Sequence, residues 1–117
     1  MVAVVVAVVG DGALGEGASW EALNYLAGTD LPLVIVLADN GFSIPPTVGG
    51  IRRIGWRFFA DLGLDYLPCS EGHNIAQLCT IFEEARRRAT DGPVVVHLKI
   101  EKGRGLLCAA SHPYKMH

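Results

Sequence analysis

The amino-acid sequence predicts an α/β domain in which helical layers enclose a mostly parallel sheet. Two observations carry that prediction. Short runs of β-branched residues alternate with longer amphipathic stretches along the whole chain. The apolar runs are also hydrophobic at successive positions, so they do not alternate in the manner of a sheet with one face in water. A length of 117 residues fits one domain with its own core, and no internal repeat divides it.

Each element has its own justification. Val2 to Val9 is apolar on both faces and mostly β-branched, which reads as a central parallel strand ending in Gly10-Asp11-Gly12. A helix follows from about Gly15 to Ala27, with Trp20, Leu23 and Ala27 at three- and four-residue steps. Leu33 to Ala38 is a second buried strand, closed by Asp39-Asn40-Gly41, and Pro45-Pro46 with Gly49-Gly50 then mark a loop. Trp56 to Leu62 is a short amphipathic helix and Leu64 to Leu67 a short strand. Asn74 caps a helix from Ile75 to about Ala89, whose expected apolar stripe is Ile75, Leu78, Phe82 and Ala85. Asp91-Gly92-Pro93 stops that helix before a fourth strand, Val94 to Ile100, and the loop Lys102-Gly103-Arg104-Gly105. A buried strand that begins at residue 2 calls for neighbours supplied from elsewhere, so the sheet is expected to be incomplete at its N-terminal side.

Composition narrows the partners. Half of the residues are hydrophobic and the mean hydropathy is +0.33, so some apolar surface is expected to meet another domain or subunit. A formal charge of −2 and a pI near 6.0 argue against nucleic acid, which needs a basic footprint. Arg86-Arg87-Arg88 follow Glu83 and Glu84 at a helix end and read as a solvated face. Cys69, Cys79 and Cys108 are widely spaced with no Cys-x-x-Cys pair, which fits reduced thiols. Val2 to Val9 is too short to span a bilayer and no targeting segment is visible, so no membrane is expected and a cytoplasmic location is.

Open α/β sheets bind ligands beyond the carboxyl ends of their strands, and two such ends here carry polar residues. Gly10 and Gly12 permit a tight turn with exposed amides, and the helix after them presents its positive end, which suits a diphosphate. The stretch Gly10 to Gly15 also fits G-x-G-x-x-G, with Asp39 as a ribose-binding acid, so a dinucleotide is a rival ligand. Asp11 opposes it: a carboxylate among phosphate-binding amides would repel a pyrophosphate by on the order of several kcal/mol in a poorly screened cleft. A divalent cation between them removes the conflict. Asp11 and the Asn40 amide oxygen, 29 positions apart, could supply two hard oxygen ligands to Mg²⁺, a backbone carbonyl a third, and a diphosphate the rest. The bland alternative makes both of them ordinary turn residues.

The blocks Gly10-Asp11-Gly12-Ala13-Leu14, Glu21-Ala22-Leu23-Asn24, Asp39-Asn40-Gly41-Phe42-Ser43-Ile44 and Thr47-Val48-Gly49-Gly50 resemble the thiamine-diphosphate enzymes of the transketolase group. Among these they are most similar to 1-deoxy-D-xylulose-5-phosphate synthases. Phe59 to Tyr66, Glu71-Gly72-His73-Asn74, Gly92 to His97, Glu101 to Gly105 and Pro113 to His117 continue the likeness. The resemblance implies a transketolase-like three-layer fold and a transferase that joins pyruvate to glyceraldehyde 3-phosphate with loss of CO₂. Its product serves isoprenoid precursor and thiamine biosynthesis. It also implies that Asp11, Asn40 and the Phe42 carbonyl bind Mg²⁺, that Gly10, Gly12 and Ala13 contact thiamine diphosphate, and that His73 is catalytic. His97, inside an apolar strand, reads as a satisfied core histidine, and His112 and His117 receive no role.

The family pattern is not followed throughout. Only Ile51 to Arg57 stands where full-length relatives carry a long insertion, so cover over the cofactor is expected to be reduced. Residues 1–117 correspond to part of a diphosphate-binding domain. The family's upstream segment with histidines, and its pyrimidine-binding domain, whose glutamate drives deprotonation of the thiazolium, have no counterpart within residues 1–117 and are expected to come from elsewhere. The chain alone is therefore expected to be inactive and to need a pyrimidine-binding domain or subunit, in a homo- or hetero-oligomer. A subunit of a split transketolase-like or 2-oxo-acid dehydrogenase enzyme, and a degenerate non-catalytic binding partner, are the alternatives.

Overall fold

A computed structural model describes residues 3–112. Four parallel strands form one sheet: β1 (Val5–Gly10), β2 (Leu33–Asp39), β3 (Asp65–Cys69) and β4 (Val94–Lys99), in the spatial order β1-β2-β4-β3. Around it run α1 (Asp11–Leu14), α2 (Gly17–Leu26), α3 (Trp56–Leu62), α4 (Ile75–Arg88) and α5 (Leu107–Ser111), with a 3₁₀ turn at Gly50–Arg53.

The two faces of the sheet build two cores. Val34, Val36, Val94, Val96 and Leu98 point one way and pack with Cys69 against Ala85 of α4 and Ala89 just past its end. Ile35, Leu37 and Val95 point the other way, against Leu14, Leu23 and Phe59 from α1, α2 and α3. This is the expected three-layer α/β arrangement, and period-two alternation explains why neighbouring valines serve different cores. The expected stripe on α2 holds: Leu23 is buried, Ala27 packs beside it, and Trp20 meets the Phe58 ring edge-on at 5.0 Å.

Several expectations are corrected. β1 is an edge strand among the described residues, paired only with β2, and not a central one. Val6 and Val8 stand in register with Val34 and Val36, on the α4 side, yet α4 lies over β4 and β3 and leaves them uncovered. The helix expected from about Gly15 to Ala27 is α2, and what the sequence reading missed is the separate four-residue α1 that precedes it directly after Gly10. On α4, Asn74 caps as expected, its side chain accepting the Gln77 amide at 3.2 Å. Of the expected stripe, Leu78 and Ala85 do face the core, joined by Ile81 and by Ala89 at the helix end, while Ile75 and Phe82 are exposed. One step around the helix separates the expected stripe from the observed one, and only the location of the sheet decides between them.

The arginine run behaves as a charged helix end. Arg87 makes a two-pronged pair with Glu84, and Arg88 joins Glu84 to Asp65 at the start of β3. The hydrogen bonds from Arg87 and Arg88 hold the half-buried Glu84 carboxyl down at about 2. Cys69, Cys79 and Cys108 are all free thiols. No helix among the described residues is long and apolar enough to cross a membrane. The Pro113 to His117 block lies outside the described residues.

Candidate functional site

The carboxyl ends of β1, β2 and β4 open on one cleft of about 140 Å³, lined by Asp11, Asp39, Thr47, Arg52, His97 and Lys99 among others. Asp11 lines this cleft, and Asn40, far away in sequence, reaches Asp11 through its backbone without lining the cleft itself. The backbone N–H of Asn40, not its side chain, donates to Asp11 Oδ1 at 3.4 Å, and the Thr47 hydroxyl donates to Oδ2 at 2.7 Å. Asp11 and Thr47 are both buried. An ionised carboxylate accepts at about four lone-pair positions, so these two bonds leave acceptor capacity on each oxygen.

The loop after β2 is folded tightly on itself. Asp39 Oδ1 accepts the Gly41 amide at 3.1 Å, and Asn40 Oδ1 accepts the Phe42 amide at 3.0 Å. Thr47 N–H closes the loop on the Gly41 carbonyl at 2.9 Å. Gly41 sits at φ 77°, the left-handed region where a side chain costs about 1–2 kcal/mol. Asn40 thus serves as a turn residue, as the bland reading held, and one lone pair of its amide oxygen remains for a ligand.

The glycines after β1 act differently from expectation. Gly10 and Gly12 do not require positive φ, since the chain passes directly into α1. Gly12 is needed for close approach: a Cβ there would lie 2.9 Å from the Ser43 side chain. It is therefore the contact that seats the Asn40 loop on α1. Ala13 is exposed beside it, and first-turn amides of a helix have no partner within that helix. The positive end expected from a long helix reduces to this one four-residue turn.

Asp39 is turned inward. His97 Nε2 lies 2.7 Å from its Oδ2, and Lys99 pairs with the same oxygen. Burial pushes the Asp39 carboxyl up, but the hydrogen bonds from Lys99 and His97 outweigh it and hold the group below its usual value. Asp39 Oδ2 is taken by both His97 and Lys99, so a ribose hydroxyl would be left only the remaining lone pair of Oδ1. His97 is buried and bonded on both nitrogens, as a satisfied core histidine should be.

His73 occupies the loop between β3 and α4, and its Nε2 accepts the Glu101 amide at 2.7 Å. Beside it, a Cβ on Gly72 would fall 2.4 Å from the Lys99 carbonyl oxygen, so only glycine lets this loop lie against the end of β4. His73 is not among the residues lining the cleft of Asp11. The short bridge after the loop contributes Ile51, Arg52 and Ile54 to the cleft wall, so cover is not simply lost there.

Residue reading alone assigned no chemical role to Thr47, Lys99, Tyr66 or Arg52. Thr47 lay within a block singled out only for its likeness to a family. Nothing in one sequence announces that a hydroxyl 36 positions from Asp11 will bond to it.

A family model described as 1-deoxy-D-xylulose-5-phosphate synthase matches residues 2–57. The 1-deoxy-D-xylulose-5-phosphate synthase of Myxococcus xanthus is 45% identical over 106 residues, covering 86% of this chain and 18% of that protein. That of Nocardia farcinica is 37% identical over 158 residues, covering 92% of this chain and 24% of that protein. The chain thus spans about a fifth to a quarter of the curated relatives it matches. Coverage of 92% is about 108 of 117 residues, so the Nocardia match holds about 50 positions that this chain lacks. Coverage of 86% is about 101 residues, so the Myxococcus match leaves room for only about five. A short form of this region is therefore shared with one relative. Among solved structures, a Pichia stipitis transketolase variant in complex with xylulose 5-phosphate superposes with a TM-score of 0.70 at 26% identity, over 90% of this chain and 16% of that one. Sequence along most of its length, and fold as well, make this chain a relative of the 1-deoxy-D-xylulose-5-phosphate synthases within the transketolase group.

Proposed function

We propose that the chain is the thiamine-diphosphate- and Mg²⁺-binding part of a 1-deoxy-D-xylulose-5-phosphate synthase-like transferase. The observation that carries this reading is the convergence of Asp11, Asn40 and Thr47 at one sheet edge, with oxygen acceptors left over. Such a donor set is hard and oxygen-only, which suits Mg²⁺ shared with a diphosphate. In this reading Asp11, the Asn40 amide oxygen and the Phe42 carbonyl hold the cation, while Gly10, Gly12 and Ala13 meet the diphosphate. Thr47 orients the Asp11 carboxylate by binding one of its oxygens. When bound, thiamine diphosphate supplies the carbon nucleophile that takes up the two-carbon unit of pyruvate as CO₂ leaves.

The family likeness alone gives His73 a substrate-facing role, since it does not line the cleft of Asp11. Because its Nε2 accepts the Glu101 amide, the neutral ring carries its proton on Nδ1, the nitrogen left to donate. Turnover with pyruvate and glyceraldehyde 3-phosphate requires a pyrimidine-binding domain or subunit to complete the site, in a homo- or hetero-oligomer.

Calorimetric titration with thiamine diphosphate tests the metal bridge. Binding should appear with Mg²⁺, vanish in EDTA, and weaken about 100-fold in Asp11→Ala with an unchanged circular dichroism spectrum. Equal affinity with and without the cation would sink the metal bridge. No binding in either condition would favour a non-catalytic role.

A further inference from the structure

Position 97 is polar inside a strand whose other inward residues are aliphatic. It shares a sheet face with Val95, yet a histidine stands there at 5% exposure. The Tyr66 hydroxyl lies 2.8 Å from Nδ1 and Asp39 Oδ2 lies 2.7 Å from Nε2. An ionised carboxylate only accepts, so Nε2 carries a proton toward Asp39, and in the neutral ring Nδ1 is then the acceptor for the tyrosine hydroxyl. Tyr66 is itself held by a stacked ring, Phe59, with centroids 5.3 Å apart. Phe59 is almost wholly buried. The bonds therefore run in one direction, from an anchored Tyr66 through His97 to Asp39, whose other oxygen receives the Gly41 amide.

We propose that His97 is a positioning residue. Backed by Tyr66, it fixes the Asp39 carboxylate, which in turn holds the turn that carries Asn40 and Phe42 to Asp11 and Thr47. The proposal rests on the reading of that loop as a cation–diphosphate site, and it adds a residue at a distance from the ligand. The backbone of Asp39 needs no such help, because its carbonyl already accepts the Ile100 amide at 2.9 Å. What needs fixing is the side chain that reaches forward to Gly41. Lys99, the other partner of Asp39, is 57% exposed and sits on a flexible stem, so it neutralises charge without defining direction. His97 supplies a rigid ring whose second nitrogen is already tethered. Oriented partners of this kind commonly determine how a ligating loop is presented.

Hydrogen exchange of the full chain by NMR separates a positioning role from core filling. In His97→Leu, exchange of the Gly41 amide should speed up at least about tenfold while Val36 and Val96 keep their protection. In His97→Gln, whose amide N–H can still reach Asp39, most of the Gly41 protection should return. Affinity for Mg²⁺ with thiamine diphosphate should follow the same order, falling about tenfold in His97→Leu and recovering in His97→Gln. Unchanged Gly41 exchange in His97→Leu would overturn the proposal and leave His97 as core. Should His97→Leu fail to fold, Tyr66→Phe decides: it removes only the hydroxyl, and Gly41 should then exchange two- to threefold faster, no change being the adverse result. A wild-type chain that binds no thiamine diphosphate would defeat the cofactor reading alone, since the exchange data judge the strut independently.

Discussion

β1 and β4 both open on a valine-rich run, Val-Val-Ala-Val-Val-Gly and Val-Val-Val-His-Leu-Lys, yet they live in opposite environments. Val94, Val95 and Val96 are wholly buried, whereas Val5, Val6 and Val8 are 61%, 57% and 72% exposed. β4 has a strand on each side, α4 on one face and the α3 core on the other. β1 has one strand beside it and no described helix over its Val6–Val8 face. A buried valine contributes about 1.5–3 kcal/mol relative to an exposed one, so these positions in β1 forgo much of what those in β4 gain. The difference teaches that an apolar run states a demand for cover, while position in the sheet determines whether the described chain meets it.

Charge substitution should break the symmetry of sequence most sharply. Val95→Asp places an unpaired carboxylate at the centre of a core and should abolish the cooperative thermal transition, whereas Val8→Asp should shift stability by no more than about 0.5 kcal/mol. Equal losses in the two variants would mean that β1 is covered in solution. A smaller contrast concerns the strand ends. Gly72→Ala forces a Cβ into the Lys99 carbonyl at the end of β4 and should cost about 1–3 kcal/mol in urea unfolding. Gly10→Ala, at the end of β1, meets nothing within 4 Å and keeps an ordinary φ of −78°, so it should be close to neutral. Comparable midpoints for the two alanine variants would contradict the crowding at β4.

The smallest effect comes from acid. Asp39, at the joined ends of β2 and β4, has a folded pKa below its unfolded one. Its contribution is thus complete above the ordinary carboxylate range and is lost as pH falls through that range toward the folded value. Denaturation midpoints between pH 5 and pH 3 should decline more steeply for the wild type than for Asp39→Asn. Parallel pH profiles would show that the network at this end does not favour the ionised form.

Much of the candidate site was legible because its signals are local. Asp11 and Asn40 each follow an apolar run, and strands of one parallel sheet bring their carboxyl ends together. The Asn74 cap and the boundaries of β2 and β4 were equally visible, since capping and β-branched runs act within a few residues. Thr47, Tyr66 and Lys99 were not legible as site residues, because their roles exist only through partners 31 to 60 positions away. The stripe of α4 was misjudged by one step for a related reason: periodicity identifies an amphipathic helix, but the apolar residues here permit two adjacent faces.

By itself, then, the sequence determined the four strands and the longer helices, though not the short α1 and α5, together with the parallel α/β class and the pair of strand ends that meet, because backbone propensity and hydrophobic period are encoded over short windows. Only the tertiary structure decided that the valines of β1 lie at an edge, that Gly12 and Gly72 are required for close approach, and that His97 is bonded on both sides. Each of these depends on which distant segment becomes a neighbour. That outcome follows from the packing of the whole sheet and its helices, which no single window of residues contains.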